Sequence, residues 1–379
     1  MHDEAAHRSP SIDGSISISA AHPLDVVIAL VTRWSKLFSR GWGDESLLTR
    51  LSSPVSYHDP PPSVSVTWSP RGERGGILRR DGSFASPLKL LPKEASTAHA
   101  RAWTRAGNHA AVVILAASRD EGYQVRERVF GPLVRLGFDL YFMENPFYGL
   151  RRTRGGPGLI TVSDHGMMVL GMVLEARALL EHLREHYQKV AVAGYSMGGH
   201  MAAITAAVSP FPLACAAMAA GASAGSVYIR GLLSWCVDFR ALGAAFRNFP
   251  ATSTSSGPVA DAGSSGSAQP RDIFADRTGM VSMGQNVRGS ARSSAAARER
   301  LLQLFAVADV TCFPPPQRPD AAVIAGCQRD GYVLRRETER LHQHWPGSIL
   351  RWIPAGHFSA LISSRRALCD CVADAVGKL

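Results

Sequence analysis

One short stretch limits what this chain can fold into more than any other. The apolar run Lys189-Val190-Ala191-Val192-Ala193 leads into Gly194-Tyr195-Ser196-Met197-Gly198 and then His200-Met201-Ala202-Ala203-Ile204-Thr205-Ala206-Ala207. The run has the length and character of a buried strand, and the alanine-rich tail can be a helix. Between them, small residues two before and two after Ser196 let the backbone bend tightly and push the hydroxyl into the open. Ser196 is therefore the candidate nucleophile. A second pentad, Gly221-Ala222-Ser223-Ala224-Gly225, also follows an apolar run, but the β-branched, glycine-bounded residues Ser226 to Gly231 lie behind it. No helix is expected there, and Ser223 reads as a loop residue.

The neighbouring segments place that elbow in an α/β sheet. Ala110 to Ala116 reads as a buried strand, Tyr123 to Leu136 as a helix, Phe138 to Met143 as a strand and Ser163 to Tyr187 as a long amphipathic helix capped by Ser163 or Asp164. Strands separated by helices at this spacing imply right-handed crossovers and a mostly parallel sheet with helices on both faces. Upstream, Ile77 to Leu91 and Ala100 to Thr104 suggest an opening hairpin or two strands. Downstream, strands at Leu213 to Ala219 and Ala321 to Cys327 are separated by about a hundred residues, far more than an ordinary connection needs. An insertion, residues 231–300, fills that gap. In it Leu232, Trp235, Cys236, Phe239, Leu242 and Phe246 share one helical face, as a lid over an acyl pocket or as a plain packing helix. Ala251 to Pro270 is too rich in Ser and Gly to build a core, and the same reading extends to about Ala297.

A serine needs a base within hydrogen-bond reach, oriented in turn by a carboxylate. Asp330 lies three residues past the strand Ala321 to Cys327 and so emerges at the carboxyl edge of the sheet. Asp320 precedes that strand and falls at the opposite edge. His357 follows the last strand, Ile349 to Ile353, across the turn Pro354-Ala355-Gly356. The order Ser196, Asp330, His357, each just past a strand, is that of the α/β-hydrolase fold. His165, His182, His342 and His344 fall within helices. Backbone N–H donors for the developing oxyanion are expected from Met197 and from Ala117 or Ser118, after the strand Ala110 to Ala116. Arg119, Asp120 and Glu121 beside them either bind a head group or form surface ion pairs.

Composition narrows the partners. Basic residues exceed acidic ones, 41 against 31, for a net charge of +10; with no nucleic-acid motif present, this favours an anionic lipid over nucleic acid. The segment Leu24 to Arg40 is amphipathic, with Arg33, Lys36 and Arg40 beside Trp34 and Phe38. It either lies on an anionic membrane surface or packs on the domain. The apolar runs Leu24 to Leu30 and Met167 to Leu174 fall short of a membrane span, so no transmembrane segment is expected. Six cysteines without a C-x-x-C pair suit a reducing compartment rather than a disulfide framework or zinc site. The first residues, Met1-His2-Asp3-Glu4, lack a basic region ahead of an apolar stretch, and there is no clear transit peptide, so an intracellular protein is expected. Residues 1–23 read as a mobile tail and 24–379 as one domain.

Several segments together resemble the α/β-hydrolase-domain-containing-18 family. They are Lys36-Leu37-Phe38-Ser39-Arg40-Gly41-Trp42-Gly43, Glu144-Asn145-Pro146-Phe147-Tyr148-Gly149-Leu150-Arg151, Ser196-Met197-Gly198-Gly199-His200-Met201-Ala202, Trp345-Pro346-Gly347 and Gly356-His357. The resemblance implies a serine hydrolase with nucleophile Ser196, acid Asp330 and base His357, without metal or cofactor. It also associates the chain with mitochondrial phospholipid deacylation, cardiolipin among the substrates. Tyr148 and Arg151 would face the site as substrate-binding residues or brace their loop. Where that family usually reads Gly-Thr-Gly-Asp after the oxyanion strand, this chain has Ala117-Ser118-Arg119-Asp120, and its acidic Asp-Glu pair is replaced by Phe305-Ala306. The expected activity is hydrolysis of a lipid acyl ester; acyltransfer and a non-catalytic binding protein on the same fold are the alternatives.

Overall fold

Nine strands join in one sheet in a computed structural model, which describes residues 18–58, 60, 63–153, 159–247 and 278–379. In chain order they are β1 (Thr67–Arg74), β2 (Ile77–Ala85), β3 (Thr97–Thr104), β4 (Ala110–Leu115), β5 (Phe138–Met143), β6 (Lys189–Tyr195), β7 (Ala214–Met218), β8 (Ala322–Cys327) and β9 (Ile349–Ile353). Their order in space is β1-β2-β3-β5-β4-β6-β7-β8-β9. From β5 to β9 every pairing is parallel, whereas β1, β2 and β3 pair antiparallel and β3 joins β5 antiparallel. The mostly parallel sheet expected from the sequence is present. Its chain direction reverses at β4, which leads to β5 on one side while β6 pairs on the other. Loops leaving β4 and β6 therefore diverge and open a crevice at the carboxyl edge.

The α-helices among the described residues are α1 (Pro23–Thr32), α2 (Glu45–Leu51), α3 (Gln124–Phe130), α4 (Val162–Arg184), α5 (Met197–Ala207), α6 (Gly225–Ile229), α7 (Phe239–Arg247), α8 (Thr278–Ala306), α9 (Arg335–His344), α10 (Ala360–Ser363) and α11 (Arg365–Lys378). Alternate residues of each central strand feed two cores. Val113, Leu115, Val192 and Ile324 pack under α4, α5 and α9; Val112, Ile114, Ala193 and Ala325 pack under α3 and α11. Covered on both faces, β4, β7 and β8 are buried along their whole length, which is why they read as unbroken apolar runs.

Several expectations need correction. The long helix starts at Val162, capped by Thr161 in a reciprocal capping box with Asp164, rather than by Ser163 or Asp164. It is also buried nearly all round rather than amphipathic, because α2 and α5 cover the sides that the sheet leaves open. The opening hairpin extends to a third strand, β1, an exposed edge whose register shifts between Pro70 and Gly72. A short helix, α6, does begin behind Ser223, although Ser223 itself stays in a loop.

In the insertion, Leu232–Cys236 is a separate 3-10 turn and α7 a second piece, so the apolar residues do not share one helix. Together they pack Cys236, Val237 and Leu242 against Leu37, Phe38 and Trp42. The reading of no structure out to Ala297 is overturned by α8; the stretch Ala251 to Pro270 lies outside the described residues. Residues 1–17 of the supposed tail lie outside them too. Ala21 and His22, by contrast, belong to the folded domain: Ala21 is buried and the His22 amide donates to Arg329 O. Only Pro23–Thr32 of the amphipathic segment is helical, after which Leu37 and Phe38 turn into the core. No helix of the described residues is long and apolar enough to cross a membrane. All six cysteines are free thiols.

Candidate active site

At the end of β6 the chain turns through Ser196 with φ 56° and ψ −122° and enters α5 at once. That strained geometry survives because the crossing needs glycine. A Cβ on Gly194 would lie 2.2 Å from the Gly198 carbonyl, and one on Gly198 would lie 2.4 Å from Leu115 O. The Ser196 amide is spent on Met218 O, which fixes the turn to β7.

The loops after β8 and β9 bring the other two predicted residues to the same rim. His357 Nε2 lies 2.9 Å from Ser196 Oγ, and His357 Nδ1 lies 2.8 Å from Asp330 Oδ2. The remaining Asp330 oxygen accepts from the Tyr332 and Val333 amides, so the carboxylate cannot rotate away. A carboxylate on Nδ1 holds the ring proton there and leaves the Nε2 lone pair for the serine hydroxyl. Burial alone would push the imidazole pKa down, but the charge and hydrogen bond of Asp330, with the nearby charge of Asp25, raise it above its ordinary 6.5.

Two spaces open onto Ser196. The larger, about 630 Å³, is lined by Ser196, His357, Ala117 and Ser118 and walled by apolar groups such as Ile28 and Phe130. Its size is that of an ordinary small-molecule pocket. A much smaller space of about 50 Å³ on the other side touches Ser196, Met197, Ser118 and His165. Ser223 lines only this second one among the two.

A family model for alpha/beta hydrolase domain containing 18 matches residues 35–378. The chain belongs to this family. Its fold is the α/β-hydrolase fold, and solved structures resemble it at low identity. The acetyl xylan esterase from Paenibacillus sp. R4 is 13% identical, covers 89% of this chain and 99% of its own, and has a TM-score of 0.49. Acetyl xylan esterase 1 from Thermoanaerobacterium sp. JW/SL YS485 is 14% identical over 90% and 98%, with 0.48. The enol-lactonase from Burkholderia xenovorans LB400 is 15% identical over 74% and 96%, with 0.40.

In this member of the alpha/beta hydrolase domain containing 18 family, the turn after β4 has an unusual backbone. Arg119 sits at φ 65°, the left-handed region that glycine adopts freely and arginine does not. The backbone thus keeps a glycine-type path without the glycine. Charged anchors hold it there: Asp120 pairs with Arg126, and Arg126 also donates to Ile114 O and Met143 O at the ends of β4 and β5. The Gly122 amide donates to Glu144, whose carboxyl burial pushes up to about 7. Arg119→Gly should therefore stabilise the fold by about 0.5–1 kcal/mol, read as a higher denaturation midpoint. A lower midpoint would show that the Arg119 contact to Ser35 O outweighs the strain.

Met197, the first residue of α5, has an amide with no preceding turn to bond within the helix. Ala117 and Ser118 line the large cavity with Ser196, Ser118 also lines the small space with Met197, and Ser118 Oγ is buried without a hydrogen-bond partner. Of the three residues Arg119, Asp120 and Glu121 named for head-group contact or ion pairing, Glu121 pairs with Arg152 and Asp120 with Arg126, yet all three also line the cavity.

For Tyr148 and Arg151, offered as substrate-binding or as bracing residues, the surroundings favour bracing. Both are buried, and neither lines a cavity at Ser196. The Arg151 guanidinium is saturated by Glu175, Ala95 O and Glu144 O. It braces the loop after β5. One group of possible metal ligands, His182, Glu185 and His186, sits at the far end of α4, near the start of β6 and so at the edge opposite Ser196. What the sequence reading missed is Asp25, a fully buried carboxylate on α1, 332 residues before His357 and bonded to its amide. A lone Asp in an apolar helix was the only signal.

Proposed function

We propose that this protein is a serine hydrolase that cleaves acyl esters of a phospholipid. The observation that carries the reading is the hydroxyl, imidazole and carboxylate in one hydrogen-bonded row at the wall of the 630 Å³ cavity. His357 Nε2 takes the hydroxyl proton as Ser196 Oγ attacks the ester carbonyl. The oxyanion that forms is stabilised by the Met197 amide and by that of Ala117 or Ser118. Collapse breaks the ester C–O bond, His357 returns its proton to the departing alcohol, and a water activated by the same imidazole clears the acyl-enzyme. Only protein groups and water take part.

A lipid substrate is supported by α1. Its residues Ile28 and Thr32 line the cavity, while Val27, Leu30, Val31 and Trp34 are exposed beside Arg33 and Lys36. Apolar groups next to cations at a pocket mouth suit entry of an acyl chain from an anionic bilayer. Against a non-catalytic binding protein stand the 2.9 Å contact at Ser196 and the cavity beside it.

A fluorophosphonate probe should label the chain, and peptide mass spectrometry should find the label on Ser196. Vesicles of anionic phospholipid should release free fatty acid and lysophospholipid. Labelling at Ser223, or none, would defeat the assignment. Transfer of the acyl group to an added lysolipid, without release of free acid, would favour acyltransfer.

A further inference from the structure

The loops that carry Asp330 and His357 come from two different strands, yet one side chain from a third place ties them together. Asp25, in the first turn of α1, is completely buried. Its Oδ2 accepts from the Gly331 amide at 3.0 Å and from the His357 amide at 2.8 Å; its Oδ1 accepts from the Phe358 amide at 3.0 Å. All three donors are backbone groups, one beside the acid and two at or next to the base. We propose that Asp25 is a positioning residue that sets the spacing between Asp330 and His357. This inference rests on the hydrolase reading given above.

Two glycines show how closely α1 is fitted to these loops. A Cβ on Gly331 would sit 3.2 Å from the Asp25 Cβ, and one on Gly356 would sit 2.3 Å from the His22 Cβ and 3.0 Å from Asp25 Oδ2. Each loop therefore gives up a side chain at the point where the helix docks. Tyr332, packed on the His357 ring with centroids 5.0 Å apart, donates its hydroxyl to the Asp25 carbonyl, so the same helix turn also supports the ring from the side. Tyr195 holds the His357 carbonyl from β6. With the backbone held at both ends, the Asp330 to His357 and His357 to Ser196 contacts can form together without a search.

Charge adds a second effect. The groups facing His357 are Asp330 and Tyr332 from the loop after β8, Asp25 from the start of α1, Tyr195 and Ser196 at the end of β6, and Arg119 across the cavity, with His22 behind Gly356 and Cys327 behind Tyr195. Asp330 and Asp25 are the carboxylates among them that raise the imidazole pKa, burial acting the other way. Catalysis needs the neutral imidazole, so activity falls as pH drops through that pKa. In the wild type the acid limb should have its midpoint above 6.5. Removing the Asp25 charge lowers the pKa and should carry the limb to lower pH.

Asp25→Asn is the decisive variant. The amide keeps the shape but must turn an NH₂ toward at least one of the three N–H donors. The expected result with a soluble p-nitrophenyl ester is a kcat about 10²-fold below wild type, a KM within about threefold, and an acid limb displaced to lower pH. A folded variant with wild-type kcat and an unmoved limb overturns the proposal. Hydrogen exchange on the wild-type protein tests it without any variant. The amides of Gly331, His357 and Phe358 should exchange slowly, and exchange as fast as that of open loops would equally overturn it. Fluorophosphonate labelling of the wild type, absent in Ser196→Ala, scores the hydrolase reading separately, so failure of one can be told from failure of the other.

Discussion

Ser196→Ala and His357→Ala should each reduce kcat for ester hydrolysis by about 10⁴- to 10⁶-fold, and the double variant should lose little more than either single one. The reason is that hydroxyl and imidazole work as one unit: without the base the hydroxyl keeps its proton, and without the hydroxyl the base has nothing to activate. KM should change far less, because neither side chain supplies the apolar walls of the cavity. The measurement is initial rate against p-nitrophenyl ester concentration, with the double variant included. Losses that multiplied would mean that the two side chains act independently, contrary to their 2.9 Å contact. The residual rate, from the oxyanion donors and binding alone, should be the same in all three proteins.

Arg151→Ala should cost about 3–5 kcal/mol of stability, the largest effect expected outside the reacting residues. Arg151 and Glu175 are both completely buried, joined by two hydrogen bonds of 2.7 and 2.6 Å. Truncating the arginine leaves a carboxylate without its cation and strips donors from Ala95 O and Glu144 O. Ser86 still donates to Glu175, but one hydroxyl does not neutralise a charge. Replacing both partners by apolar residues, Arg151→Met with Glu175→Leu, should be less damaging than the single change. Urea denaturation of the three variants decides the matter. Were Arg151 a substrate ligand, the single change would raise KM and leave the midpoint in place.

The parts of this fold that could be read from the sequence are those whose signal is local. β4, β6 and β8 are covered on both faces and therefore announce themselves as apolar runs; Ser196 and Asp330 follow from lying just past such runs, and His357 from the turn behind the half-buried β9. β1 was invisible because an exposed edge strand containing Pro70 has no apolar pattern to show. The α8 helix was hidden by its Ser-, Gly- and Ala-rich composition, although Ala297, Leu301 and Phe305 place one stripe of it in a core. Asp25 and the Arg151 to Glu175 pair were beyond reach for another reason. A buried charge looks like a surface charge until the partner that justifies its burial is known, and those partners are 24 to more than 300 residues away.

The contact between Asp25 and the His357 amide closes almost the whole chain into a loop. Residues translated early wait for residues translated late before the reacting row can assemble. A growing chain on the ribosome, even with its elbow and most of its sheet already formed, should stay inert toward esters until the last strand and the turn behind it have left the exit tunnel.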